Sequence, residues 1–321
     1  MKKLMVFLCA MSLVFGISGI AGAAPVYITD YNDFPAYGYN TGPYQVAGAY
    51  VGCGPTTGAM ILGYFQNREG YSNMLTPPTP AGADQGLATA WALHGAGYMG
   101  TQASGFGSVY NIRPGMENYV ASRSPEVIGT DTHTYSVDVM IHVGPAYNAN
   151  NPGTWQDPPY QGTTLYGFNQ YGAFGDAWNN DATFYVQDAS GNWHIDPALF
   201  RTQTMGWLAA GIPIFLTIDQ DPNLAGADHW VPMVGVDDTT NYYYYFDTYD
   251  NSVHSAQIRY IYETAGEGDQ AINYVRTVQL TDTITPGGNG NNHEVPEPAE
   301  LLLLGNGLLG LILFRKKFRK S

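Results

Sequence analysis

Gly52-Cys53-Gly54-Pro55-Thr56-Thr57-Gly58-Ala59-Met60-Ile61-Leu62-Gly63-Tyr64-Phe65 is the stretch on which the reading of this chain turns. Met60, Ile61, Tyr64 and Phe65 recur at helical spacing, which predicts a helix over 55–66. Pro55 suits the first helical position, where its missing N–H costs nothing. Cys53 therefore stands at a helix start between two glycines. The amides and the macrodipole at a helix N-terminus favour a thiolate. Gly52 and Gly54 leave room for a carbonyl group to approach. The residues allow two readings, a nucleophile or a buried structural thiol.

A thiol nucleophile needs a base, and the base needs an orienting group. His229 opens the apolar segment HWVPMVGV, and Asp247 lies near the end of YYYYFDT. Between them Asp237-Asp238-Thr239-Thr240-Asn241 is a hairpin signal. If the hairpin closes about Asp238, His229 faces Asp247 on one side of the sheet. A slip of one residue would turn Asp247 to the other side. In the first register Asp247 accepts from one ring nitrogen of His229 and leaves the other for the thiol. Taken alone, His229 also reads as a strand-end histidine with a satisfied hydrogen bond, and Asp247 as an ordinary turn-side acid. Gln45, upstream of Cys53, is a candidate oxyanion-hole amide, with the Cys53 backbone N–H as the second donor. It reads equally well as a surface glutamine.

Further helices are expected over 87–93, 116–123 and 197–210, the last capped by Gly211. Strands are expected over 212–218, 229–236, 242–248, 259–262 and 274–280. The Tyr242–Tyr245 run reads as a strand covered on both faces rather than as a ligand platform. The segment 144–191, rich in Gly, Asn, Pro and aromatics, reads as long ordered loops.

Composition narrows the function. The chain has 321 residues, 45% hydrophobic and 12% charged, with a net charge of −14. Enough apolar residue is present for a packed core, and so few charges exclude charge-driven disorder and a coiled coil. The acidic balance argues against nucleic acid as a partner. Met1 to Ala23 reads as a secretory signal peptide: Lys2 and Lys3, an apolar run from Leu4 to Ile20, then Ala21-Gly22-Ala23. A retained membrane anchor is the alternative. Cleavage would remove Cys9 and leave Cys53 as the one cysteine of an exported domain, with no intramolecular partner. A domain over 24–285 is expected, followed by a Gly- and Asn-rich linker over 286–294.

The C-terminal segment 295–321 carries Val295-Pro296-Glu297-Pro298, an apolar run from Ala299 to Phe314, and the basic cluster Arg315, Lys316, Lys317, Arg319 and Lys320. That order resembles the PEP-CTERM sorting signal of Gram-negative bacteria. The resemblance implies an exosortase as processing enzyme beside signal peptidase, a transient anchor in the inner membrane with the basic end cytoplasmic, and delivery to the cell surface or medium. The alternative is a plain C-terminal membrane anchor.

The segments GCGPTTGAMILGYF, LAAGIPIFLTI, DHWVPMVGVDD and YYYYFDTYDN resemble, in order and spacing, the C39-like peptidases. The resemblance extends over most of Gln45 to Asp250. It implies an α+β, papain-like fold in which a helix carrying the cysteine packs on an antiparallel sheet carrying the histidine and aspartate. It implies Cys53 as nucleophile, His229 as base, Asp247 as orienter and Gln45 as oxyanion glutamine, acting on a peptide or protein substrate without a cofactor. Pro232 stands where that pattern has a β-branched residue, which predicts a bulge or an edge position. The other expected reading is a non-catalytic surface or matrix module on the same fold. Asp219, Asp221, Asn223 and Asp228 place oxygen ligands in one loop before His229, as a calcium site would, yet Gly226 falls too late for an EF-hand, and a solvated acidic loop is the alternative.

Overall fold

The structure, a computed structural model, describes residues 25–28, 30–35, 45–46, 49–71, 73–77, 84–100, 112–142, 177–179, 181–190, 193–219, 229–250, 252–260 and 270–287. The segments 1–24 and 295–321, the end of the expected linker, the acidic stretch 220–228 and all of 144–176 lie outside them.

The expected cysteine helix is present and starts earlier than its proline suggests. Helix α1 runs Cys53–Glu69, so Cys53 is its first residue and Pro55 sits within the first turn. All of Val51 to Phe65 is buried, as befits a helix that is apolar all round and lies inside a domain. Gly52 precedes it at φ 92°, a backbone conformation that glycine reaches without strain. The other helices are α2 (Gln85–His94), α3 (Ile112–Ser122) and α4 (Pro197–Ala209). Asp84 caps α2 through the Gly86 N–H, and Asp196 caps α4 through the N–H groups of Ala198 and Leu199.

Strands β1 (Pro25–Tyr27), β2 (Gln45–Val46) and β3 (Ala49–Tyr50) precede α1. Strands β4 (Glu126–Ile128), β5 (Asp131–His142), β6 (Ala177–Asn179), β7 (Tyr185–Gln187) and β8 (Trp193–Ile195) lie between α3 and α4. Strands β9 (Ile214–Asp219), β10 (His229–Asp237), β11 (Tyr242–Asp247), β12 (Ser252–Gln257) and β13 (Ala271–Thr285) follow. Nine of these form one sheet in the order β12-β11-β10-β9-β13-β5-β4, with β1 on β10 and β6 on β5. Its pairings are antiparallel apart from β5 with β6. The fold is thus mixed helix and antiparallel sheet.

Several sequence expectations need correction. The segment 259–262 is not a strand among the described residues; Tyr260 makes an isolated bridge to Ile272, and the strand lies earlier, at β12. The tyrosine strand β11 is not covered on both faces. Tyr243 and Tyr245 are buried, whereas Tyr242 is exposed and Tyr244 is covered in part by the Tyr27 ring. Pro232 is not at an edge: it stands in β10 opposite Phe215, and the bulge falls just beyond it, between Met233 and Gly235.

The hairpin register is also corrected. Val236 pairs with Tyr243 and Gly235 with Tyr244, so the turn closes between Thr239 and Thr240 rather than about Asp238. The cause is the Asp237 carboxylate, whose Oδ1 accepts from the Thr239 N–H, the Thr239 hydroxyl and the Thr240 N–H. Continued unbroken, that register would set Asp247 opposite Pro232, facing away from His229. The bulge removes one residue from the count, so that Met233 pairs with Tyr245. Beyond it Asp247 falls on the His229 face, diagonal to it rather than directly opposite.

Candidate active site

His229 sits at the start of a central strand, with β9 beside it through Ile218, and its side chain is 0% exposed. A histidine so buried needs partners for its polar atoms. Its Nε2–H donates to Asp247 Oδ1 at 3.1 Å. The same carboxylate oxygen accepts the backbone N–H of Tyr249 at 2.8 Å, which holds Asp247 in place at the strand end. The Tyr249 ring stacks on the imidazole at 4.6 Å between centroids and 23° between planes. Asp247 fixes the direction of the ring, and Tyr249 covers one of its faces.

The other ring nitrogen, Nδ1, is buried and has no hydrogen bond of good geometry. The Cys53 thiol nevertheless acts on the ring through a hydrogen-bonding and a charge interaction. A loose thiol–imidazole contact is usual where no substrate tightens it. Burial opposes charge on His229. The Asp247 hydrogen bond and the Cys53 contact outweigh it, and the imidazole pKa is pushed up to about 9. Cys53 itself is buried.

Two devices hold α1 against the sheet here. The Thr57 hydroxyl, one turn after Cys53, donates to the carbonyl of Trp230, the residue after His229, at 2.8 Å. The Thr56 hydroxyl donates back to the Gly52 carbonyl at 2.8 Å and shapes the helix start. On the far side, the His94 ring bonds the backbone carbonyl of Val51; burial lowers the His94 pKa, and the Val51 contact opposes that only in part. Thr57, Tyr249 and His94 escape the sequence reading. Thr57 had a signal, since it stands in the quoted helix motif; a tyrosine two residues past an aspartate and a histidine ending a distant helix had none.

Gln45 lies in β2, paired with Tyr50 of β3, in a small hairpin that leads into Cys53. Its side chain lies outside the described residues. Of the acidic loop, only Asp219 is described, buried at the end of β9; among the described residues no group of three or more acidic, histidine or cysteine side chains could hold a metal ion. Among them, too, no helix is long and apolar enough to cross a membrane.

A family model, the Peptidase_C39 like family, matches residues 138–280. The matched span contains His229 and Asp247 and begins after Cys53. The mixed fold with its antiparallel sheet is compatible with such a domain. No curated protein and no solved structure matches the chain.

Proposed function

We propose that this protein is an exported cysteine peptidase or amidase in which Cys53, His229 and Asp247 form the catalytic triad. The observation that carries the reading is a fully buried imidazole that donates to a carboxylate and interacts with the Cys53 thiol at a helix N-terminus. A high His229 pKa favours a resting thiolate–imidazolium pair. Cys53 Sγ attacks the scissile carbonyl carbon. His229 gives its proton to the departing amine as the C–N bond breaks, leaving a thioester. Water then attacks the thioester, His229 takes its proton, and Cys53 leaves as the thiolate. The Cys53 backbone N–H, at the first helical position, has no intrahelical acceptor and serves as one oxyanion donor; Gln45 is the proposed second.

The test is alkylation by iodoacetamide at pH 7. Wild-type protein is expected to alkylate at Cys53, and His229→Ala to slow the reaction at least tenfold, since the thiolate loses its counter-ion. Cys53→Ala is expected to lower hydrolysis of a fluorogenic peptide library by about 10³-fold or more. An alkylation rate unchanged in His229→Ala overturns the triad, and a folded wild type inert to the whole library points to a non-catalytic surface module.

The two ends support a proposed route outward. Signal peptidase would cut after Ala23, and an exosortase near Pro296 would free the domain from the inner membrane. Intact mass measurement of the protein made in a Gram-negative host with and without an exosortase tests this: the C-terminal cut is expected only with the enzyme.

A further inference from the structure

A second ordered set of reactive groups lies away from Cys53, on the β5–β13 part of the sheet. His142, buried at the end of β5, donates from Nδ1 to Asp181 Oδ1 at 2.6 Å. Its Nε2 accepts from the Thr277 hydroxyl of β13 at 2.9 Å. The imidazole is held by helix α4, whose Trp207 ring lies 4.2 Å from it between centroids. The same helix steadies the aspartate, because the Gln203 amide donates to the Asp181 backbone carbonyl at 2.8 Å. Beside these groups opens a cavity of about 150 Å³ lined by Asp138, Met140, His142, Asp181, Trp207, Thr277 and Gln279. The register explains the lining. Thr277 pairs with Met140 and Gln279 with Asp138, so alternate residues of two neighbouring strands share the face on which Trp207 of α4 meets His142.

We propose that Thr277, His142 and Asp181 form a second hydrolytic centre, acting on esters of short carboxylic acids. Hydroxyl, imidazole and carboxylate stand in the order and at the distances that acyl transfer requires. A cross-strand hydrogen bond would tie the two strands without a carboxylate on the far nitrogen, without a ring fixed from a helix, and without open volume beside the hydroxyl. In the first step Thr277 Oγ1 bonds to the ester carbonyl carbon as its proton passes to His142 Nε2. The carbon–oxygen bond to the alcohol then breaks, and His142 returns that proton to the alcohol. Water attacks the acyl-threonine ester with His142 taking its proton, the acid leaves, and Thr277 is reprotonated. The Gln279 amide, at the rim on the Thr277 face, is the side chain placed to donate to the oxyanion. The cavity admits an acyl group of a few carbons, which sets the substrate class apart from the peptides proposed for Cys53.

The experiment uses the full chain carrying Cys53→Ala, which removes the thiol centre, with p-nitrophenyl acetate and butyrate as probes. Hydrolysis above the buffer rate is expected to persist. Thr277→Val and His142→Gln, made in that background, are expected to lower it about 10²-fold or more, whereas Thr277→Ser retains it. A fluorophosphonate is expected to label Thr277, located by peptide mass mapping, in both Cys53→Ala and the wild type. Labelling needs no folded Thr277→Val variant and so stands if that variant fails to fold. The proposal is overturned if Cys53→Ala hydrolyses neither ester and takes no label at Thr277, or if Thr277→Val keeps the rate.

Discussion

At the scale of single residues, His229 decides what the Cys53 centre does with pH. Its proton is held to about pH 9 although burial works against the charge. A histidine whose pKa rises on folding adds stability that is full below its unfolded value, near 6.5, and is lost as pH climbs through the folded value. In the proposed mechanism the same proton is the one given to the leaving amine, so activity is expected to fall on the alkaline side with an apparent midpoint near 9. Asp247→Asn withdraws the carboxylate that accepts from Nε2. It is expected to move that alkaline limb toward neutrality and to lower kcat by 10-fold or more, checked by kcat/KM across pH 6–10. An alkaline limb that stays near 9 in Asp247→Asn would assign the proton to another group. The Tyr249 side chain meets the imidazole through its ring. Tyr249→Phe is therefore expected to keep the rate, and Tyr249→Ala to lose up to about tenfold of kcat, the 0.5–1.5 kcal/mol that a ring pair contributes.

At the scale of elements, the helices and the hairpin were legible because their signals are local. The spacing of Met60, Ile61, Tyr64 and Phe65 needs only one turn of helix to be read, and the polar run 237–241 interrupts two apolar segments. The turn position was not legible, because it depends on where one carboxylate finds its donors. Asp237 binds two backbone N–H groups and a hydroxyl, which carries the turn one residue and a half beyond the expected centre. The bulge that brings Asp247 back to the His229 face did have a mark, Pro232, but the proline left a bulge and an edge position equally open and did not say which way the register would shift. These contacts, Thr240 and Thr239 foremost, lower the Asp237 pKa to about 2. The sign follows: a carboxylate depressed on folding contributes stability above its unfolded pKa, near 4, and loses it as pH falls toward 2. Asp237→Ala is therefore expected to cost about 1–3 kcal/mol at pH 7, with the difference from wild type shrinking between pH 4 and 2. Urea unfolding at those pH values measures it; a difference independent of pH would mean that the carboxylate charge contributes nothing.

At the scale of the whole molecule, the order of strands was out of reach of the sequence. Strand β13 lies between β9 and β5, pairings that close loops of many residues and leave no local trace. Strand β5 itself was missed although it carries a plain alternation, with Tyr135, Val137, Val139 and Ile141 buried and Thr134, Ser136 and Asp138 exposed. This assembly of distant strands produces a charge no sequence pattern announces. Arg276 of β13 is wholly buried. Its Nη1 donates to the Thr217 hydroxyl of β9 at 3.1 Å, and its guanidinium lies 5.4 Å from the ring centroids of Trp230 and of Tyr274. Nε and Nη2 have no hydrogen-bond acceptor among the described residues. Removing such an ion from water costs several kcal/mol, and two aromatic faces return about 2 kcal/mol each. Arg276→Met keeps an unbranched apolar stem and removes the charged guanidinium, so it is expected to leave stability unchanged or raise it by about 1–4 kcal/mol. Arg276→Lys, a compact and more strongly hydrated cation, is expected to destabilise instead. Thr217→Val removes the one acceptor among the described residues and should cost about 1–3 kcal/mol in wild type and little in Arg276→Met. Urea unfolding of the four proteins in that cycle decides the matter. A loss of more than about 3 kcal/mol in Arg276→Met would mean that a carboxylate beyond the described residues balances the guanidinium.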